Sequence, residues 1–230
     1  MKVAVMGAGA VGCYFGAMLA RTGHDVTLIA RPSHVEAVRQ HGLMFESRNF
    51  TGHIPMQATT EASGVAGAGV VLFCVKSPDT ENAGRAMTPF LKADAAILCL
   101  QNGVDNAERL QAVTGRSAIS AVVYVAAEMA GPGHIKHNGR GELIIGEAPA
   151  SAGIARQFND AAIPTTVSDT VISALWVKLI TNCAYNALSA VSELPYGPLL
   201  KVAGVTDVMH NVISECIAVA QALTIPLPST

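Results

Sequence analysis

The chain begins with glycines whose spacing suits the binding of a dinucleotide. Gly7, Gly9 and Gly12 lie in the motif GAGAVG, between an apolar, β-branched segment (Lys2–Met6) and a segment of helical periodicity (Ala10–Arg21). In such a strand–turn–helix unit the first glycine makes the tight turn, the second lets the backbone approach a pyrophosphate, and the third lets the helix pack closely on the strand. A Gly-rich turn with a purely structural role is the alternative. The predicted dinucleotide contacts are Gly7, Gly9, Ala10, Val11 and Gly12.

The residue after the second predicted strand, 25–30, indicates which dinucleotide binds. A site for NAD usually has Asp or Glu about 20 residues after the glycines, at the ribose 2′-hydroxyl, whereas a site for NADP has a cation there. This position holds Arg31, whose planar guanidinium suits a phosphate, and Asp25 lies at the opposite end of the strand. The sequence therefore predicts NADPH, with Arg31 at the 2′-phosphate, against the alternative of a solvated surface arginine.

Two further polar residues follow continuous apolar runs that are typical of buried parallel strands. Lys76 follows VVLFCV (70–75), and Asn102 comes just after AAILCL (95–100). Because ligands of an open α/β sheet bind beyond the carboxyl ends of its strands, we expect both residues to line the crevice that the glycine turn faces. The alternatives are a flexible surface lysine and an Asn-Gly turn.

A polar stripe lies on the predicted helix 171–190. Lys178, Asn182 and Asn186 recur every four residues and therefore share one face of a helix that is otherwise mostly apolar. Such a stripe needs partners if it is buried, because an unpaired ammonium or amide is costly there. A lysine whose ammonium is held by amides is a suitable proton donor to a carbonyl oxygen. The solvated face of an amphipathic helix is the open alternative.

The rest of the pattern predicts the elements that position these residues. Strand-like runs alternate with helical periodicity up to residue 168, which indicates a Rossmann-like, doubly wound and largely parallel α/β sheet with helices on both faces. Long helical patterns follow. We therefore expect a dinucleotide-binding domain at 1–168 and an all-helical domain at 169–230. The other predicted segments are helices at 33–41, 79–91, 106–113, 152–162, 198–202 and 205–223, strands at 118–126, 142–146 and 165–167, an irregular or hairpin segment at 42–56, and a Gly-rich, hairpin-like turn at 131–141 that leads into 142–146.

Composition narrows the class of protein. The 230 residues are 50% hydrophobic and 14% charged, which is typical of a soluble globular chain with a substantial core. The net charge of −2, without clustered basic residues, argues against nucleic acid as a partner, and charged or polar residues interrupt every apolar run of membrane-spanning length. The five cysteines lack an evident neighbouring base, so we expect reduced core thiols in the cytoplasm. No ligand spacing predicts a metal.

Taken together, GAGAVG, Arg31, CVKS, QNG and WVKLITNCAYNALSA resemble the ketopantoate reductase (2-dehydropantoate 2-reductase) family in order and spacing over nearly the whole chain. The resemblance implies a Rossmann-like domain, a helical domain for substrate binding and dimerisation, and an active site in the cleft between them. It also implies the reduction of a 2-ketoacid, 2-dehydropantoate, to (R)-pantoate with NADPH, in pantothenate and coenzyme A synthesis.

The resemblance also implies roles for individual residues. Lys178 corresponds to the general acid, Asn182 and Asn186 orient it or the substrate, and Lys76 and Asn102 lie near nicotinamide and substrate. Family members normally continue through further helices that carry a substrate-contacting serine and glutamate, so we expect the helical domain to be incomplete relative to the family. Two other functions stay open: a β-hydroxyacid dehydrogenase relative, and a non-catalytic NADPH-binding redox sensor or partner subunit.

Overall fold

The apolar runs of the first part of the chain form one sheet of ten strands. A computed structural model describes residues 1–228 and divides the chain into two units, Met1–Asp169 and Thr170–Thr230. The strand order is β4-β3-β9-β8-β7-β6-β1-β2-β5, and β10 pairs with β9. The strands are β1 (Lys2–Met6), β2 (Asp25–Ile29), β3 (Leu43–Ser47), β4 (Phe50–Ile54), β5 (Gln57–Thr59), β6 (Val70–Phe73), β7 (Ala96–Cys99), β8 (Ala118–Gly131), β9 (His134–Gly146) and β10 (Thr165–Ser168).

The sheet is largely parallel and is covered by helices on both faces, which confirms the predicted fold class. The β3–β4 and β8–β9 pairs are antiparallel, and the other pairs run parallel. Val5 of β1 packs in one core with Phe15, whereas the adjacent Ala4 packs in a second core with Met87 and Leu110. The helices of this unit are α1 (Ala10–Arg21), α2 (Pro32–His41), α3 (Thr80–Met87), α4 (Asn106–Thr114) and α5 (Ser151–Asp160).

Several elements are shorter than predicted. The predicted strand 70–75 is β6, which ends at Phe73, and the predicted helix 79–91 is α3 up to Met87, followed by a 3-10 turn at Thr88–Phe90. Pro89 accounts for the end of α3, because proline has no N–H to donate to the carbonyl four residues earlier. The irregular or hairpin segment predicted at 42–56 is the β3–β4 hairpin, whereas β5 and a 3-10 turn at Ala62–Val65 were not predicted.

The hairpin predicted at 131–141 is present between β8 and β9, but its turn is much shorter than predicted, because most of this segment belongs to a strand. β8 ends at Gly131 and β9 begins at His134, so residues 132–133 alone make the turn. The pairing of β8 with β9 shifts register where the glycines lie, and Gly139 and Gly141 both have a φ of +145°. Glycine adopts this conformation without steric cost, so a strand holds glycines where its ladder bulges.

In the second unit, the described residues form helices α6 (Val171–Ser192), α7 (Tyr196–Leu199) and α8 (Val205–Ala222), and α6 packs against α8. The helix predicted at 198–202 begins earlier, because Pro198 fits a first helical turn, where its missing N–H has no partner to lose. Within residues 1–228, α6 alone is long and apolar enough by composition to cross a membrane. The core helix of a soluble protein meets the same criterion, so this finding is weak evidence for a span.

The cysteines are only partly the core thiols that we expect. Cys13 and Cys99 are buried, Cys74 and Cys216 are half-buried, and Cys183 on α6 is exposed. The next residue, Ala184, is buried. Because successive residues of a helix point about 100° apart, the side chain of Cys183 is directed away from the buried face. Burial and, next, the neighbouring Cys183 thiol raise the pKa of the Cys216 thiol.

Replacement of Gly141 by alanine is expected to destabilise the protein more than the same change at Gly139. Both glycines have the same φ, but a Cβ on Gly141 collides with the hydroxyl of buried Tyr14, whereas nothing lies within 4 Å of that position at Gly139. Overpacking costs about 1 to 3 kcal/mol, so the free energy of unfolding in urea should fall by that much more for Gly141→Ala. Equal losses for the two variants would contradict this packing.

Candidate functional site

Two glycines of the motif, Gly7 in the turn after β1 and Gly12 on α1, lie where a side chain would collide with neighbouring atoms. Gly7 has a φ of +94°, and a Cβ there would lie 2.6 Å from the backbone nitrogen of Val75. A Cβ on Gly12 would lie 2.6 Å from Cγ1 of Val5. Gly7 therefore makes the turn and Gly12 brings α1 close to β1, which are the conformations that the motif predicts.

Gly9 lies at the N-terminus of α1 and faces open space. It is the N-cap of the helix, it is exposed, and nothing lies within 4 Å of the position of a Cβ. Ala10 and Val11 follow in the first turn and are half-buried. N–H groups in a first helical turn have no acceptor within the helix, and the helix dipole favours negative charge there. This end of α1 can therefore hold a phosphate group.

The end of β2 is fixed to the glycine turn by two hydrogen bonds. The N–H groups of Gly7 and Ala8 both donate to the backbone oxygen of Ile29, at 3.1 and 2.9 Å. Arg31 follows two residues later as the N-cap of α2, with an exposed side chain. Asp25 pairs with Lys2 at the amino end of β2. The structure thus brings the backbone of Arg31 to the edge of the sheet where the glycine turn lies, and Asp25 to the other edge.

The loops after β6 and β7 meet at this same edge. Lys76 and Asn102 are both exposed, each three residues beyond its strand. The Ser77 hydroxyl donates to the backbone oxygen of Asn102 at 3.4 Å. Because β6 runs parallel to both β1 and β7, these loops lie at the carboxyl edge together with the glycine turn. The loops of both predicted residues therefore adjoin, while their contacts with a ligand stay predictions.

A buried amide, Gln101, connects the two loops. Its side chain is 7% exposed, and Nε2 donates to the backbone oxygen of Val75 at 3.0 Å and to the hydroxyl of Thr80 at 2.8 Å. The thiol of Cys99 donates to Oε1 at 3.2 Å. The Thr80 hydroxyl donates in turn to the backbone oxygen of Ser77 at 2.9 Å. Gln101 therefore sets the distance between the end of β7 and the loop that carries Lys76.

An ion pair holds the same loop from the side of the helices. Arg109 on α4 donates to both carboxylate oxygens of Glu81 on α3, at 2.7 and 3.0 Å, and to the backbone oxygen of Ser77 at 2.9 Å. The hydrogen bond from Arg109 is the main cause of the lowered pKa of Glu81. These supporting residues could not be identified from the sequence, because each contact joins positions that are far apart in the chain. The only sequence signal was the position of Gln101 beside Asn102.

The polar stripe on α6 lies on one continuous helix. Lys178 and Asn182 are half-buried, and Asn186 is exposed. The hydroxyl of Tyr196, on α7, donates to Oδ1 of Asn186 at 2.6 Å, and the Tyr196 ring packs on Tyr185 with centroids 4.9 Å apart. The amide of Asn186 therefore has a fixed orientation. Tyr196 was not identified from the sequence, because its contact depends on the direction of the chain after α6.

Comparisons with known proteins identify the relatives of this chain. The family described as ketopantoate reductase PanE/ApbA matches residues 3–150, and its C-terminal family, ketopantoate reductase PanE/ApbA C terminal, matches residues 170–230. The chain is 34% identical over 204 residues to a 2-dehydropantoate 2-reductase of Pyrococcus horikoshii, covering 86% of this chain. The match covers 66% of that enzyme, so the chain spans just under two thirds of its length.

Solved structures agree with this result. A PanE/ApbA family ketopantoate reductase from Ralstonia eutropha JMP134 has a TM-score of 0.96 and 54% sequence identity, over 100% of this chain and 77% of that one. D-mandelate dehydrogenase, solved with NADH and anilino(oxo)acetate, has a TM-score of 0.91 at 23% identity, over 99% of this chain and 76% of that one. At this identity the second likeness shows the fold alone.

Removal of the Gln101 amide is expected to destabilise the protein. Gln101→Leu keeps the size of the side chain but removes the Nε2 donor to the Val75 oxygen and to the Thr80 hydroxyl, and the Oε1 acceptor of the Cys99 thiol. Each buried group left unsatisfied costs about 1 to 3 kcal/mol, so we expect the free energy of unfolding in urea to fall by about 2 to 4 kcal/mol. Ser77→Ala removes only a long, exposed hydrogen bond and serves as the control. A loss for Gln101→Leu no larger than that for Ser77→Ala would contradict the role of the amide.

Proposed function

Because the chain belongs to the ketopantoate reductase PanE/ApbA family, we propose that it reduces a 2-ketoacid with NADPH. The proposed substrate is 2-dehydropantoate and the proposed product is (R)-pantoate, in the synthesis of pantothenate and coenzyme A. The observation that carries the proposal is the pair of hydrogen bonds from Gly7 and Ala8 to Ile29, because it holds the position of Arg31 beside the glycine turn. The names of the relatives support the substrate.

The glycine turn and the end of β2 support NADPH as the coenzyme. Open space over Gly9 and the N-terminus of α1 suit a pyrophosphate, and the exposed Arg31 guanidinium suits a 2′-phosphate. Asp25 is the acidic residue of β2 that could favour a 2′-hydroxyl, but it lies four residues before Ile29, or about 13 Å along an extended strand. It is therefore far from the end of β2 where Arg31 lies. The solved D-mandelate dehydrogenase contains NADH, so a nicotinamide coenzyme also occurs on this fold.

We assign the proton transfer to Lys178. The coenzyme, when bound, supplies the hydride to the carbonyl carbon. The ketone oxygen then gains negative charge, which a preorganised ammonium stabilises best if it can also give up a proton. In this proposal Asn182 orients the Lys178 ammonium, and Asn186, whose amide is fixed by Tyr196, orients Lys178 or the substrate. Lys76 and Asn102 are assigned to the nicotinamide and substrate end of the site.

The proposal places the enzyme in the cytoplasm. All five cysteines are free thiols, and free thiols persist where the compartment is reducing. Two alternatives, a non-catalytic NADPH-binding module and a β-hydroxyacid dehydrogenase relative, predict different activities. The first binds NADPH without turnover of any ketoacid, and the second oxidises β-hydroxyacids with NADP⁺ faster than it reduces 2-dehydropantoate with NADPH.

Lys178→Met is expected to abolish turnover while it leaves NADPH binding intact. The variant keeps the length of the side chain but removes the proton donor, and general acid catalysis contributes about 10² to 10⁴ in rate. We expect kcat for 2-dehydropantoate to fall by at least about 100-fold, while the Kd of NADPH changes by less than about twofold. NADPH oxidation with 2-dehydropantoate and a panel of other 2-ketoacids measures kcat, and calorimetric titration measures Kd.

Lys201→Ala, a change of an exposed lysine beyond α7, is the matched control and should retain wild-type turnover. A Lys178→Met variant with wild-type kcat would rule out the assigned role of Lys178. Tight NADPH binding without turnover by the parent protein would favour the non-catalytic module instead.

A further inference from the structure

A chain of buried polar contacts connects the tip of the β8–β9 hairpin with the glycine turn. The N–H of Gly133 donates to Nδ1 of His34 at 2.8 Å, and Nε2 of His34 lies 3.2 Å from Sγ of Cys13. Sγ of Cys13 donates to the backbone oxygen of Ala8 at 3.3 Å. His34 is 7% exposed and Cys13 is fully buried. Three parts of the chain that are distant in sequence therefore meet beneath the turn.

The direction of each hydrogen bond from Gly133 through His34 and Cys13 to Ala8 is fixed. A backbone N–H can only donate, so Nδ1 of His34 has to carry the lone pair, and the proton of a neutral imidazole is then on Nε2. Nε2–H donates to the sulfur of Cys13, which leaves the thiol proton free to reach the oxygen of Ala8. Protonation of Nδ1 would break the contact with Gly133. The imidazole is therefore a donor to Cys13, and not a base for it.

Both side chains are electrically neutral near neutral pH. Burial lowers the pKa of His34, and burial raises the pKa of the Cys13 thiol to about 12. The structure places His34 beside Cys13, although no base near a cysteine was evident from the sequence. A thiolate nucleophile is nevertheless excluded there, because the Gly133 N–H and the raised pKa of Cys13 both oppose the ion pair.

Gly133, at the tip of the β8–β9 hairpin, has a fixed position. Gly133 has a φ of +67°, and a Cβ there would lie 2.8 Å from the Cβ of Ala37 on α2. The backbone oxygen of Gly133 accepts a hydrogen bond from the N–H of Met44 at 2.8 Å. His34 also lies in the first turn of α2, where its N–H donates to the backbone oxygen of Arg31 at 3.1 Å. The imidazole of His34 thus connects α2, which Arg31 caps, with Cys13 on α1, which follows the glycine turn.

We propose that His34 is a positioning residue for coenzyme binding, which holds the glycine turn at Ala8, through Cys13, in register with the start of α2 at Arg31. This inference rests on the proposed function, because it assigns NADPH to that turn. His34 itself does not touch the coenzyme. Its loss therefore weakens the binding of NADPH and leaves the chemical step unchanged.

Three substitutions distinguish the contact of His34 with Gly133 from its contact with Cys13 and Ala8. His34→Gln keeps an N–H donor near the place of Nε2, His34→Asn keeps only an acceptor near the place of Nδ1, and Cys13→Ala removes the contact with Ala8. We expect KM for NADPH to rise about fivefold in His34→Asn and Cys13→Ala, the equivalent of one net buried hydrogen bond, and less than about twofold in His34→Gln. The value of kcat should change by less than about twofold in all three variants.

Val38→Ala is the matched control for a merely structural effect. Val38 is buried on the same helix but outside the contact chain, so its truncation should lower the urea midpoint without raising KM. Nitrogen-15 spectra of the imidazole report the tautomer independently of activity, and we expect the proton on Nε2. A proton on Nδ1, equal KM values in His34→Asn and wild type, or an equal rise in Val38→Ala would overturn the role of His34. Absence of NADPH binding by the wild type would overturn the proposed function together with this role.

Discussion

The carbonyl oxygen of Ile29 accepts hydrogen bonds from the N–H groups of both Gly7 and Ala8, at 3.1 and 2.9 Å. The first residues of the glycine turn, which follow β1 in the chain, are therefore also hydrogen-bonded to the end of β2. Gly7 has a positive φ, which glycine adopts without steric cost, at the point where these two N–H groups turn toward Ile29. The distance between the pyrophosphate position over Gly9 and Arg31 is consequently set by backbone contacts. In the proposed function, a preference for a 2′-phosphate depends on this distance.

The neighbouring parts of the site are held by buried polar side chains. Gln101 joins the loops after β6 and β7, and His34 joins the glycine turn, α2 and the β8–β9 hairpin. Apolar packing orients strands and helices, but it tolerates small sliding movements because it is not directional. A hydrogen bond has a preferred length and direction, so buried amides and imidazoles restrain loops in both distance and orientation. The edge of the sheet that carries the predicted ligand contacts is built in this way.

The sequence was sufficient to predict features that depend on residues adjacent in the chain. Continuous apolar runs predicted β6 and β7, helical periodicity predicted α1 and α6, and the glycine motif predicted the conformation of the turn. The turn of the β8–β9 hairpin was predicted too long, because Gly139 and Gly141 are typical turn residues, and only pairing with β8 makes them part of a strand. The contacts of Gln101, His34 and Tyr196 could not be predicted either, since each joins residues that the fold alone brings together.

The assignment of Arg31 to the 2′-phosphate is tested most directly by the ratio of kcat/KM for NADPH to kcat/KM for NADH. We predict that the wild type prefers NADPH by at least about tenfold, a difference of about 1.4 kcal/mol. Arg31→Ala should abolish this preference by loss of NADPH activity while NADH activity is retained, and Arg48→Ala, at an exposed position of the β3–β4 turn, should leave the ratio unchanged. Equal use of the two coenzymes by the wild type, or an unchanged ratio in Arg31→Ala, would contradict the account.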